Sequence, residues 1–151
     1  MLLRTHLMLS ILMILIFVGS VSDKFIFIIM VFVATIIPDL DTKHSSYGRH
    51  SIFRPLQVFV KHRGFIHSFT TAVVLSLIIA VFWPVASFGF FIGYSIHLII
   101  DSFTKEGIQP FWPFRWRSEG PIRSGGRFEE IFFFILIGVD VLVFISMMLV
   151  W

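Results

Sequence analysis

Five apolar runs, at roughly 6–22, 25–37, 66–83, 85–103 and 130–150, alternate with polar stretches of very unequal size. Runs of this length and purity predict membrane-spanning helices. The polar stretches at Ser22-Asp23-Lys24 and Trp83-Pro84-Val85 are short and nearly neutral. The other two are long and basic. Lys43, Arg49, Arg54, Lys61 and Arg63 outweigh Asp39 and Asp41 in the first, and Lys105, Arg115, Arg117, Arg123 and Arg127 outweigh Glu106 and Glu119 in the second. Alternation of neutral and basic loops predicts a cytoplasmic N-terminus, both long loops in the cytoplasm, and the C-terminus outside. The first run also admits a secretory-signal reading, since Arg4, an apolar stretch and Gly19-Ser20-Val21-Ser22 follow that plan. Cleavage would leave four spans, discard His6 and break the charge alternation. The second run is short: Phe25 to Ile37 covers about 20 Å as a helix against a hydrocarbon core of about 30 Å. Asp39 is therefore expected at or below headgroup depth, with Pro38 turning the chain.

Composition sharpens this picture. The 151 residues are 57% hydrophobic and 14% charged, too little polar surface to cover a water-facing globule. The expected fold is a single all-α, polytopic membrane bundle over residues 1–151. Without cysteine there is no disulfide, thiolate ligand or cysteine nucleophile. The formal charge of +3 lies in loops beside spans, so membrane topology explains it and no nucleic-acid partner is expected.

Histidines and carboxylates collect where apolar runs meet polar loops, on one predicted side of the membrane. Asp39 and Asp41 follow the second run; His62 and His67 stand in His62-Arg63-Gly64-Phe65-Ile66-His67-Ser68; His97 and Asp101 close the fourth. His97 and Asp101 are four apart and share a helix face, which runs back through Gly93 and Gly89. Small residues there let a neighbouring helix come close. A turn at Pro84 makes the third run the antiparallel neighbour and brings His67 beside that end. A single intramembrane His is ordinarily a hydrogen-bonding residue between helices, but a set at one depth points to metal. Pro-Asp-x-Asp alone reads equally as a turn, and Glu129 with Glu130 equally as acids suited to a helix N-terminus.

Mixed His and carboxylate donors suit zinc, or manganese or iron, better than magnesium or calcium. There are more donors than one tetrahedral ion needs, so two or more ions are expected. Such a site makes a nucleophile of water near neutral pH and clamps a phosphoryl group. Arg63, Arg115, Arg117, Arg123 and Arg127 could neutralise phosphate, although topology alone accounts for most of them. Phe111, Trp112, Phe114 and Trp116 interleave with Arg115 and Arg117, as in segments that lie in the interface against anionic lipid. Asp140, mid-span and about three turns from Glu129, is too deep for the same metal; it is expected protonated or paired with a polar group on another helix.

These motifs resemble the inner-membrane metal-dependent hydrolase family. Thr5-His6, Pro38-Asp39-Leu40-Asp41, Ser45 with Gly48-Arg49, and His62-Arg63-Gly64 with His67-Ser68 come in the family's order. Gly93-Tyr94, His97, Asp101, Thr104, Gly107, Pro113 and Ser124-Gly125-Gly126 before Glu129 continue it across nearly the whole chain. In this sequence Thr42 stands where relatives often place a His, and Gly126 where a Ser is common. The family is grouped distantly with zinc-dependent phospholipase C and the zinc single-strand nucleases. The resemblance implies a helical fold and a cluster of zinc-type ions, with His6, Asp39, His62, His67, His97, Asp101 and Glu129 carried over as ligand positions.

The expected activity is phosphoester hydrolysis by metal-activated water, on a phospholipid or lipid-linked phosphate, at the cytoplasmic interface of the inner membrane. Metal ligands are expected at His6, Asp39, Asp41, His62, His67, His97, Asp101 and Glu129, and catalytic roles at Asp39, His62 and Arg63. The alternative is a metal transporter or metal-sensing membrane protein with the same ligands and no chemistry. It calls for polar groups continuing through the bilayer, where only Asp140 serves. A b-type haem would not need the neighbouring carboxylates.

Overall fold

The computed structural model describes residues 1–41 and 65–150. Among them are five helices, α1 (Leu3–Phe17), α2 (Lys24–Ile36), α3 (Phe69–Phe82), α4 (Pro84–Ser102) and α5 (Arg127–Val150), with 3-10 turns at Val18–Ser20 and Ile37–Asp41. The fold is all-α, as the apolar runs predict. Three stretches are long and apolar enough to cross a membrane: Leu3–Ser20, Pro84–Ser102 and Arg127–Leu149. The other two are shorter, with 13 residues in α2 and 14 in α3. At 1.5 Å per residue each covers about 20 Å, less than the apolar core of a bilayer.

The shortening has local causes. Pro38 has no N–H to continue the ladder of α2, and the chain tightens there into a 3-10 turn. Helix α3 begins at Phe69 rather than at Ile66 because Ser68 caps it, its Oγ accepting from Thr71 N at 3.2 Å. Pro84 takes the first turn of α4, where its missing donor costs nothing. Asp23 caps α2 by accepting from Ile26 N at 3.1 Å.

Helix α4 is the centre of the bundle. It packs most extensively on α2, then on α3 and α1, while α1 also packs on α5. The Gly89–Gly93 stripe makes the α2 contact possible. A Cβ on Gly93 would lie 2.1 Å from Val31 O, and one on Gly89 2.8 Å from Phe27 O. The two backbones therefore meet at van der Waals distance, as small residues permit. One core cluster joins Ala34, Ala72, Phe90, Tyr94, Leu98 and Ile108; a second joins Ile14, Phe27 and Val31. Helix α5 instead exposes Phe134, Leu142, Met148 and Leu149 among others. That surface suits lipid, which has no hydrophobic penalty for it.

Between α4 and α5, residues 103–126 fold back on themselves through isolated bridges, Thr104 with Ile122 and Ile108 with Ser118. Gly107 turns this segment at φ +57°, where a Cβ would also strike Ser118 O at 2.3 Å. The segment is fastened to α3: Phe69 N donates to Pro110 O at 2.8 Å, and Thr70 Oγ1 to Trp112 O at 2.8 Å. The starts of α1, α3 and α5 and the ends of α2 and α4 thus lie at one end of the bundle.

Candidate metal centre

Five ionisable side chains converge at that end. Helix α1 contributes His6, the turn after α2 contributes Asp39, the residues before α3 contribute His67, and α4 contributes His97 and Asp101. His6, His67 and His97 are fully buried and Asp101 is 1% exposed, in a bundle with little water to solvate them. Such a concentration of titratable groups is costly unless charge and hydrogen bonds compensate it.

His97 is the hub. Its Nδ1–H donates to Thr35 O at 2.8 Å, which leaves the Nε2 lone pair facing the cluster. From Nε2 it is 3.7 Å to Asp101 Oδ2 and 3.8 Å to Asp39 Oδ1. His6 Nε2 lies 3.4 Å from Asp101 Oδ1, and His67 Nε2 lies 4.0 Å from Asp101 Oδ2. The His6 and His97 rings stack with centroids 4.1 Å apart and planes 9° apart. The N-terminal ammonium of Met1 also contacts Asp101 Oδ1.

A tetrahedral ion with donors at about 2.1 Å holds them about 3.4 Å from one another. The separations around His97 lie within a few tenths of an ångström of that. Two triads qualify, His6–His97–Asp101 and Asp39–His67–His97, with the ligand atoms of each within 4.8 Å of one another. His97 Nε2 and His6 Nδ1 are buried and have no hydrogen-bond partner among the described residues. Buried ring nitrogens without partners are uncommon, and a cation among them removes the anomaly. Three imidazoles and two carboxylates are a donor set for the zinc class. Burial pushes the Asp39 carboxyl above the usual carboxylate range, and the nearby His6 offsets this only in part.

Glu129 stands beside the cluster, outside both triads. It accepts from Leu2 N at 2.5 Å, from Thr5 Oγ1 at 2.8 Å and from Gly125 N at 2.5 Å, tying the start of α1 to the start of α5. Asp41 closes the 3-10 turn, and its side chain is not among those described. His62 and Arg63 lie outside the described residues. Asp140 is 8% exposed, and neither carboxylate oxygen has a hydrogen-bond partner among the described residues, so of the two expectations, protonated or paired, the pairing is not found there.

Sequence reasoning missed the scaffold behind His97. Thr35 Oγ1 donates to Val31 O at 2.8 Å and pairs with Ser10 Oγ at 2.7 Å, while Ser10 Oγ also reaches His6 O at 2.9 Å. The signal was available: Ser10 lies one helical turn after His6, and Thr35 four residues before Asp39, each in an otherwise apolar run.

The sequence model of one protein family, described as YdjM inner membrane protein, matches residues 1–151. The chain is similar to the curated inner membrane protein YdjM of Escherichia coli (strain K12), 31% identical over 110 residues, covering 63% of this chain and 55% of the relative. The Shigella flexneri protein of the same name matches with the same identity and coverage. The match thus spans about half the length of these curated relatives. No solved structure matches.

Proposed function

The chain belongs to the YdjM inner membrane protein family, and from that premise we propose that it is a membrane-embedded, metal-dependent hydrolase of phosphoester bonds in a phospholipid or lipid-linked phosphate. The observation that carries this reading is the convergence of His6, Asp39, His67, His97 and Asp101 at one end of the bundle. Structural polar contacts between helices need one or two such groups; five, in two triads that share His97, suit cation binding.

His6, Asp39, His67, His97 and Asp101 would hold the metal, with zinc the first choice and manganese or iron next. Bound there, ions of this class supply a nucleophile from water near neutral pH and Lewis-acid stabilisation of phosphoryl oxygens. The chain's own residues do the rest. Thr35 O orients the His97 ring, and Ser10 and Thr35 hold the facing helices in register. Asp101 supplies compensating negative charge between His6 and His97. Glu129 positions the segment that carries His6 by binding Leu2 N and Thr5 Oγ1. In this proposal His62 and Arg63 contribute to catalysis from the basic loop, Arg63 by neutralising phosphate. In this proposal the cluster faces the cytoplasm, an orientation that the basic loops support.

The test is release of phosphate, or of a phosphorylated headgroup, by zinc-loaded protein in vesicles representing each lipid class. Turnover on one class, lost in His97→Ala, supports the reading; no release from any class overturns it. A second reading, metal transport without hydrolysis, draws on the buried mid-span carboxyl of Asp140. Metal uptake into proteoliposomes that disappears in Asp140→Asn would favour it.

A further inference from the structure

At the start of α3 lies an aromatic groove, built from the segment that the metal chemistry leaves unused. Phe111, Trp112, Phe114 and Trp116, with Thr70 as its floor, line an open groove of about 640 Å³. Apart from Thr70 the lining is aromatic. Phe114 is 73% exposed and Trp116 61% exposed, a heavy exposure of aromatic surface for water but not for the edge of a bilayer.

The groove has a defined shape. The Phe111 and Trp116 rings lie parallel, with centroids 6.0 Å apart and planes 9° apart. Phe65 meets Trp112 edge-on at 5.0 Å. The Thr70 Oγ1 bond to Trp112 O fixes this wall on the first turn of α3. The position of α3 bears on what can enter. Its 14 residues reach only about 21 Å, less than an apolar core of about 30 Å, which leaves room for acyl chains beside its ends. The segment also joins two helices long enough to span the membrane, which holds it at the interface.

Charge identifies the occupant. Arg115 sits between Phe114 and Trp116, is exposed, and has no ion-pair or hydrogen-bond partner among the described residues. Arg117, by contrast, is engaged with Glu106 O at 2.7 Å and Glu119 at 3.3 Å. An exposed guanidinium with no partner among the described residues, carried by the aromatic segment that lines the groove, suits a phosphate above two acyl chains.

We propose that the groove formed by Thr70, Phe111, Trp112, Phe114 and Trp116 is a binding site for an anionic phospholipid of the surrounding leaflet, with Arg115 holding its phosphate. This site is distinct from the metal cluster and does not depend on whether the cluster performs hydrolysis. An arginine beside an anionic leaflet enriches such a lipid locally by about five-fold.

The experiment uses the full chain with Trp83→Phe and Trp151→Phe, leaving Trp112 and Trp116 of the four tryptophans as emitters. It is reconstituted in two sets of vesicles of identical phosphatidylcholine and phosphatidylglycerol content. One set carries bromine on the phosphatidylglycerol chains, the other on the phosphatidylcholine chains. Per brominated lipid, the anionic quencher should be about five-fold more effective, and Arg115→Gln should make the two equal. Arg115 is exposed and packs into no core, so that variant keeps the fold, and its helix content by circular dichroism verifies this. Equal quenching by both lipids without the arginine substitution overturns the anionic site. Weak quenching by both overturns lipid occupancy altogether and points to a protein cover.

Discussion

His97 Nδ1 donates to the carbonyl of Thr35 at 2.8 Å, joining a turn of α2 to the histidine of α4 that faces the cluster. The bond selects the ring tautomer and aims Nε2 at Asp39 and Asp101. The carbonyl is available because Thr35 lies in the last turn of α2, while its Oγ1 turns back to Val31 O and across to Ser10 Oγ. Thr35→Val should cost Ser10 its contact with α2, leaving only its bond to His6 O, and loosen α1 against α2. The expected cost is about 1 kcal/mol in thermal unfolding of detergent-solubilised protein, with metal affinity reduced about tenfold and stoichiometry retained.

The close approach of α2 and α4 rests on Gly93. Gly93→Ala would place a Cβ 2.1 Å from Val31 O, and backbone cannot yield as a side chain can. Destabilisation of about 3 kcal/mol or more is expected, seen as loss of the monodisperse peak on size exclusion. Gly138→Ala has nothing within 4 Å of the new methyl and should be neutral or slightly stabilising.

Glu129 and Asp101 are both buried acids near the cluster, yet their surroundings differ. Glu129 accepts three hydrogen bonds from Leu2, Thr5 and Gly125, whereas Asp101 faces three histidines. Glu129→Ala should lower stability by about 1–3 kcal/mol while still binding metal. Asp101→Asn should abolish stoichiometric binding. Metal content and melting temperature measured together on both variants check this division of roles.

The Asp39 carboxyl titrates above the usual carboxylate range because it is buried. A carboxyl whose pKa is raised holds its proton to higher pH, and metal must displace that proton. Affinity should therefore be full above the raised value and fall as pH drops through it, sooner than an ordinary aspartate would allow. Each proton that the metal displaces changes the apparent affinity by about tenfold per pH unit. Competition titrations with a zinc chelator between about pH 8 and about pH 5 measure the slope. Asp39→Asn should make it shallower.

Much of this was legible in the chain. The apolar runs located the five helices among the described residues, and the four-residue spacing of His97 and Asp101 placed both on one face, with Gly89 and Gly93 on the side where α2 packs. His67 was expected beside them from the antiparallel turn at Pro84, and it lies 4.0 Å from Asp101. His6 came only from a family resemblance, since a lone His near the start of an apolar run looks like a packing residue. Less legible were the helix ends, where Ser68 and Pro38 decide by capping and by a missing donor. The hydrogen bond of Thr35 could not be read either: a backbone carbonyl leaves no trace in residue type. Nor could the anchoring of Glu129, because an acid at a helix start looks the same whether it binds metal, the dipole or a neighbouring helix.

The central claim is that His6, Asp39, His67, His97 and Asp101 form a metal site. Elemental analysis of protein purified in detergent, after removal of loosely bound ions, addresses it directly. The parent chain is compared with His67→Ala/His97→Ala and with Asp23→Asn, whose carboxylate caps α2 at the opposite end. The account predicts zinc, manganese or iron at one or more ions per chain in the parent and in Asp23→Asn, and none in the double variant. No metal in the parent even after reconstitution, or equal metal in all three, would contradict it.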